Sequence, residues 1–322
     1  MATEQKIKIL AVVGPTASGK TAISVELAHR LRGEVVSCDS MQVYRRMNVG
    51  TAKPTEDEKQ GVPHHLMDVV EPDAPFSCAD YVTMAGKAVK DISARGKLPI
   101  LCGGTGLYLD RFLCGKMEET HADEGLRASL FAFAESEGVE ALHARLREVD
   151  PESAEAIHPN NVKRVVRALE IYEQTGIPKS EFDRRSQAGE SPYDALVIGL
   201  HYPRREVLYE RINRRVDMML ADGLSDETKQ LLDEGVFEVN LTAAQAIGYK
   251  ELLGYFNGSE TLAEATENLK TATRRYAKRQ LTWFGAKPYV VWVEMEKEGA
   301  LRSLDDVCNE IISLLQRGEA RV

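Results

Sequence analysis

The stretch Gly14-Pro15-Thr16-Ala17-Ser18-Gly19-Lys20-Thr21 fits the pattern G-x-x-x-x-G-K-[ST], and it constrains this chain more than any other segment. Such a loop works only between a strand and a helix, and the sequence supplies both. Ile7–Val13 is an apolar run of strand character, and Ala22–Leu31 has helical patterning. The glycines let the backbone curl so that its N–H groups converge on an anion. The helix N-terminus adds partial positive charge. In this arrangement Lys20 reaches a terminal phosphate, and the Thr21 hydroxyl is placed to hold Mg²⁺. The loop leaves open whether the ligand is ATP, GTP or another diphosphate. A glycine-rich turn with a chance Lys-Thr pair is the plain alternative, and it explains neither flank.

A second strand, Val35–Cys38, ends at Asp39, on the carboxyl edge where open α/β sheets place their ligands. Asp39 suits either a water-bridged Mg²⁺ contact or a general base, against a helix-cap or turn aspartate. Residues 41–54 read as an irregular loop over the site. The pair His64-His65 suits packing or hydrogen bonding better than metal, because neighbouring side chains diverge on any regular element. Ser77 and Asp80 form a capping pattern that opens a helix carrying Tyr81, Met84, Ala85, Ala88 and Ile92 on one face and ending at Gly96. A third strand, Leu98–Cys102, runs into Gly103-Gly104-Thr105-Gly106. That segment is either a tight turn or a second ligand-facing loop with Thr105 at its tip.

From about Met117 the strand–helix alternation stops. Helical patterning covers Leu126–Ala134, Val139–Val149, Val162–Thr175 and Lys179–Arg185 before a strand returns at Ala195–Leu200. The pattern predicts an α/β protein: a parallel-sheet core of the P-loop NTPase kind over residues 1–116 and 190–322, interrupted by an all-helical insertion at 117–189. Lys163, Arg164 and Arg167 share one side of an insertion helix, with a solvated surface as the default reading. After a helix at Glu206–Leu220 with Arg211, Arg214 and Arg215, a long helix spans Ser259 to about Phe284. A last strand at Pro288–Val293 and a helix at Leu304–Leu315 close the chain.

The formal net charge of −9 means that any nucleic-acid role needs a local basic patch. The long helix supplies one. Lys270, Arg274, Arg275, Lys278, Arg279 and Lys287 fall between Glu267 and Glu294 with no acid among them, interleaved with Tyr276, Trp283 and Phe284. A solvated face is one reading of this stripe, a phosphate-binding one the other. Cys38, Cys78, Cys102, Cys114 and Cys308 include no C-x-x-C pair, so neither zinc site nor disulfide framework is expected. No apolar run reaches the roughly 18 residues of a membrane span, and the N-terminus has no signal-peptide pattern. A cytoplasmic monomer with reduced thiols and no membrane contact is expected.

No asparagine is followed by lysine, which disfavours the N-K-x-D base-reading motif of GTPases, and no later strand ends in the acids of a motor ATPase. A small-molecule kinase stays open. A non-enzymatic nucleic-acid module leaves the phosphate loop idle. One reading uses every feature: the loop holds the diphosphate of an activated substrate, the basic helices hold RNA, and Asp39 works between them.

Several blocks resemble the bacterial tRNA dimethylallyltransferases of the tRNA isopentenyltransferase family. They are GPTASGKT at Gly14–Thr21, DSMQVY at Asp39–Tyr44, GTAKP at Gly50–Pro54, PHHLMD at Pro63–Asp68, GGTGLY at Gly103–Tyr108, RALE at Arg167–Glu170, AIGYKE at Ala246–Glu251 and KRQLTWF at Lys278–Phe284. The resemblance implies transfer of a dimethylallyl group from dimethylallyl diphosphate to N6 of the adenine 3′-adjacent to the anticodon, with release of diphosphate. It implies that Gly14–Thr21 binds the diphosphate with Mg²⁺ on Thr21, that Asp39 is the general base, and that Thr105 and Arg215 stand at the reacting centre. It implies that Asp39, Ser40, Met41 and Gln42 touch the flipped adenine. Contacts to the tRNA anticodon stem-loop would come from Thr105, Arg127, Lys163, Arg164, Arg167, Gln245, Gly248, Tyr249, Lys250, Lys278, Arg279, Gln280 and Trp283. Gly285 departs from the pattern, since relatives often carry arginine there. A related alternative, an adenylate isopentenyltransferase acting on free AMP, needs the loop and Asp39 but no RNA platform.

Overall fold

The computed structural model describes residues 6–114, 123–187 and 190–318. It separates into two compact units, one formed by residues 1–113 with 191–322 and the other by residues 114–190. The expected boundaries at 116/117 and 189/190 border or fall within stretches outside the described residues.

In the first unit β1 (Ile7–Val13) leads into α1 (Lys20–Leu31), β2 (Gly33–Cys38), the two-residue strand β3 (His64–His65), α2 (Cys78–Ala94), β4 (Leu98–Gly103) and α3 (Gly106–Cys114). It resumes with β5 (Tyr193–His201), α4 (Arg205–Ala221), α5 (Leu224–Asp233), α6 (Leu262–Gly285), β6 (Val290–Glu294) and α7 (Leu304–Arg317). The six strands form one sheet in the order β3-β2-β4-β1-β5-β6, all parallel. Both faces are covered, as the unbroken apolar runs of β1 and β5 require. Leu10 and Val12 point to a layer with Ile23 and Leu27 of α1, Leu208 and Ile212 of α4, and Val307 and Ile311 of α7. Ile9, Ala11 and Val13 point the other way, onto Tyr81, Ala85, Val89 and Ile92 of α2 and Phe112 of α3. Ser77 and Asp80 close the capping box of α2, and Gly96 beyond its end is left-handed at φ 70°.

Register brings three strand ends level. Val13 of β1 pairs with Gly103 of β4, and Gly103 pairs with Cys38 of β2. Gly14, Gly104 and Asp39 follow directly. The close approach of β4 to β2 requires glycine at 103, since a Cβ there would lie 2.0 Å from the Cys38 carbonyl oxygen. Residues 41–54 rest on a third apolar cluster, in which Val43, Tyr44 and Met47 pack with Val216, Leu231, Tyr249 and Leu269.

The second unit is helical: Glu124–Glu137, Val139–Val149, Pro151–Ala156, Val162–Thr175 and Lys179–Gln187. Its core is Leu130, Leu142, Leu146, Val165, Val166 and Leu169. The short helix at Pro151–Ala156 has no sequence periodicity to announce it. Asp150 caps it by accepting from the Ser153 N–H at 3.0 Å, with proline at the first position. Among the described residues no helix is long and apolar enough to cross a membrane.

His65 is a hydrogen-bonding histidine, as its chemistry suggested. Its Nε2 sits 2.8 Å from a Glu34 carboxylate oxygen. Glu34 is 2% exposed and also receives Arg95 at 2.5 and 2.7 Å and Lys97 at 2.7 Å. These bonds, Arg95 first, hold the Glu34 carboxyl well below the usual carboxylate range despite its burial. A depressed folded pKa contributes stability above the unfolded value of about 4.3 and loses it as pH falls below that. Glu34→Gln should therefore lower the melting temperature at pH 7, and the gap to the unaltered protein should narrow as pH is taken below about 4. Melts across a pH series check this; a gap that widens in acid would contradict it.

Candidate active site

The phosphate loop is held open from outside. Gly14 and Gly19 take φ of 143° and 93°, and Ala17 takes 60°, turning successive peptides. Arg211 Nε donates to the Ala17 carbonyl at 2.9 Å, and the Tyr202 hydroxyl donates to the Ser18 carbonyl at 3.1 Å. The Arg211 guanidinium lies over the Tyr202 ring. The Thr16 N–H donates to Gln280 Oε1 at 2.9 Å. The Ser18 N–H donates to the Pro15 carbonyl at 3.3 Å, closing the turn, and the loop's remaining N–H groups at the start of α1 suit an anion. Lys20 Nζ bridges the Gly14 and Pro15 carbonyls at 3.1 and 2.7 Å. Burial lowers its pKa, offset in part by the Cys102 and Asp39 charges. The Ser18 Oγ is buried without a partner among the described residues.

Asp39 follows β2 and accepts the Met41 N–H at 2.9 Å through Oδ1. Burial raises its carboxyl pKa, against the stabilising Met41 N–H and Lys20 charge. Gln42 turns its carboxamide inward: Oε1 accepts Ser37 Oγ at 3.0 Å and Nε2 donates to the Thr51 and Ala52 carbonyls at 3.2 and 3.3 Å.

Two cavities meet here. One of about 330 Å³ is bordered by Thr16–Thr21, Gln42, Met67, Arg211 and Gln280. The other, about 270 Å³, is bordered by Ser40, Met41, Ile212, Val216, Met219, Gln245, Ile247, Lys250 and Arg279. Thr16, Ala17, Asp39, Thr51, Ala52, Arg215 and Tyr276 border both. The expected base, one expected arginine and the phosphate loop thus share one junction. Thr21 and Asp39 offer a hydroxyl and a carboxylate to the first cavity, a hard-oxygen set suited to Mg²⁺, which needs few protein ligands when phosphate oxygens complete its shell.

Other expected residues lie beside these cavities or inside the packing. Thr105, expected at the reacting centre and on the RNA, borders neither of these cavities; its Oγ accepts the Ser40 N–H at 3.0 Å and braces the strip after Asp39 from behind. Gly248 and Tyr249, expected on an RNA surface, are buried. Tyr249 fills the space against Gly50, where a Cβ would lie 2.4 Å from its ring. Gln280 is 6% exposed, is bonded inside the molecule and borders the first cavity. Apolar packing and internal hydrogen bonds claim these side chains, a demand the sequence pattern does not show.

The basic helix is only partly free. Lys270 pairs with Asp217 at 2.7 Å and Lys287 with Asp110 at 2.6 Å, acids brought in from other segments. Arg274 donates to Asn213. Arg275, Lys278, Arg279 and Trp283 remain exposed, with Lys287 over the Trp283 ring. In the helical unit Lys163 and Arg164 are exposed. Arg127 and Arg167 both bind the fully buried Glu170, at 2.9 and 2.5 Å. Burial opposes ionisation of Glu170, but Arg167, the Asp123 N–H and Arg127 hold its pKa down.

The family model described as IPP transferase matches residues 42–287. The chain belongs to that family. It is 49% identical to the tRNA dimethylallyltransferase of Halalkalibacterium halodurans, over 97% of this chain and 98% of that one. Its fold matches the crystal structure of the full-length tRNA isopentenylpyrophosphate transferase from Bacillus halodurans with a TM-score of 0.71 at 48% identity, covering 97% and 98% of the two chains. A eukaryotic dimethylallyltransferase captured acting on tRNA matches with a TM-score of 0.73 at 32% identity, over 88% of this chain and 73% of that one. The sheet core of this family member therefore has solved counterparts among tRNA-acting enzymes.

Motif reading missed Glu227 on α5. Its Oε2 accepts the N–H groups of Asn48 and Val49 at 2.8 and 2.9 Å, and its Oε1 accepts the Gly50 N–H at 2.9 Å and the Tyr249 hydroxyl at 2.7 Å. One carboxylate thereby fixes the loop that carries Thr51 and Ala52 into both cavities. Only folding joins these segments, so no local signal marks Glu227. Glu227→Gln should lower turnover by about tenfold or more while diphosphate binding persists, because it sets an amide donor against donors. Tyr249→Phe, which removes one donor, should cost about threefold. Steady-state kinetics with a diphosphate titration checks both; a Glu227→Gln enzyme of full turnover would contradict the arrangement.

Proposed function

We propose that this chain transfers a dimethylallyl group from dimethylallyl diphosphate to N6 of the adenine 3′-adjacent to the anticodon of tRNA, releasing diphosphate. The observation that carries this reading is the junction: Asp39 stands where a cavity lined by the phosphate loop meets one that opens beside Arg279 and Lys250. The relatives' names support the same reaction class.

The exocyclic amine of adenine is a weak nucleophile, because its lone pair is delocalised into the ring. As the new N6–C bond forms and the allylic C–O bond breaks, Asp39 takes the N6 proton and the bond pair leaves on the diphosphate. Its raised pKa makes Asp39 a better acceptor than an ordinary carboxylate. Lys20, Arg215 and the loop N–H groups stabilise charge on the departing oxygens. Thr21 would hold Mg²⁺, which would supply further charge neutralisation on the diphosphate when bound. A base in a single-stranded anticodon loop is flipped out at low cost, and the second cavity, walled by Met41, Ile212 and Ile247, receives it.

Incubation with unmodified tRNA and labelled dimethylallyl diphosphate should put label on tRNA, with AMP and ATP in parallel tubes giving no product. Phosphoryl transfer from ATP without prenylation would overturn the reading. Asp39→Asn should lose roughly a hundredfold or more in rate with donor binding kept. The acid limb of kcat/KM should fall at a pH above the ordinary aspartate pKa of about 3.9, and the variant should lack that limb. Loss of donor binding with an intact saturated rate would make Asp39 a metal-site residue instead.

RNA docking on the exposed part of α6 should follow salt. Lys278→Ala with Arg279→Ala should weaken tRNA binding and flatten the log-affinity against log-salt line by about one to two units, with donor affinity retained. An unchanged slope in a folded variant would move the platform to Lys163 and Arg164.

A further inference from the structure

Helix α6 presents Arg275, Lys278 and Arg279 to solvent, while Gln280 faces inward at 6% exposure. Gln280 Oε1 accepts the Thr16 N–H at 2.9 Å, and its Nε2 donates to the Gly104 carbonyl at 3.0 Å. Thr16 belongs to the phosphate loop and borders both cavities. Gly104 precedes Thr105, whose Oγ holds the Ser40 N–H next to Asp39. One carboxamide therefore spans the loop that cradles the leaving group and the turn that braces the base. A Cβ on Gly104 would lie 2.0 Å from Gln280 Nε2. The backbone of Gly104 is not left-handed, so it is the carboxamide that demands glycine there.

We propose that Gln280 is a positioning residue that fixes the separation of the phosphate loop from the Asp39 strip, and is not an RNA contact. This deepens the transferase reading and rests on it. The reaction needs amine, allylic carbon and leaving oxygen aligned, and a misplacement of about 1 Å costs on the order of a hundredfold in rate. Without the carboxamide, the Thr16 N–H and the Gly104 carbonyl lose their partner inside the molecule, and the two loops lose their tie.

The test compares Gln280→Ala, Gly104→Ala and the double variant. Saturated kcat, diphosphate affinity, tRNA affinity across a salt series and thermal melting are measured for each. Gln280→Ala should lower kcat roughly 10- to 100-fold, with tRNA affinity, its salt slope and diphosphate affinity each within about threefold of the unaltered enzyme. Gly104→Ala, made on a different segment, should reproduce the loss by displacing the same carboxamide. The double variant should be no slower than Gln280→Ala, because the shortened side chain leaves room for the new methyl. Gln280→Glu keeps the acceptor for Thr16 and loses the donor to Gly104, so it should show the same kcat loss even if the alanine variant melts early. Weakened tRNA binding or a flattened salt slope with an intact saturated kcat would overturn the proposal, as would single-variant losses that multiply in the double. Failure of the unaltered enzyme to prenylate tRNA would refute the transferase reading itself.

Discussion

The site depends on a row of backbone pairings across the parallel sheet. Cys38, Gly103 and Val13 are level in β2, β4 and β1, so Asp39, Gly104 and Gly14 leave the sheet side by side. Neighbouring strands lie about 4.8 Å apart, which sets the base and the start of the phosphate loop about 10 Å apart, two strand spacings. That gap is wide enough for the five-carbon group and the amine that the proposed transfer would set between a carboxylate and a diphosphate. A one-residue slip of β2 would move Asp39 along the sheet and turn its side chain to the other face. Gly103 is the residue that permits this approach.

Around that row the protein spends its polar side chains on backbone. Arg211, Tyr202 and Gln280 fix three peptides of the phosphate loop, Thr105 fixes the strip after Asp39, and Glu227 fixes the loop above. A site whose dipoles are already aimed needs no reorganisation when charge moves from amine to diphosphate. The same crowding raises the pKa of Asp39 and lowers that of Lys20, bringing both closer to neutrality than in water.

Local features were legible in the sequence and tertiary ones were not. The phosphate loop, the strand ending at Asp39, the capping box at Ser77 and the insertion helices Val139–Val149 and Val162–Thr175 all rest on spacing within a few residues. Five strands of the parallel core and the helical block between β4 and β5 followed from the rhythm of those elements, while the two-residue strand β3 at His64–His65 did not. Gln280 and Tyr249 lie in blocks that read as RNA-facing, yet their side chains point inward. A motif records which residues occur together, not which face of a helix they occupy. Lys270 and Lys287 belong to a run with no acid inside it, but Lys270 pairs with Glu267 at its edge and with Asp217 of α4, and Lys287 with Asp110 of α3. Glu227 joins residues 48–50 to residue 249 and has no sequence signature of its own.

A crystal structure with a non-reacting thio-diphosphate analogue of dimethylallyl diphosphate and an unmodified anticodon stem-loop tests the central claim most directly. The diphosphate should lie in the phosphate loop Gly14–Thr21, and the flipped adenine should place N6 within about 3.2 Å of an Asp39 carboxylate oxygen. A diphosphate bound elsewhere, or an adenine whose amine faces away from Asp39, would contradict it.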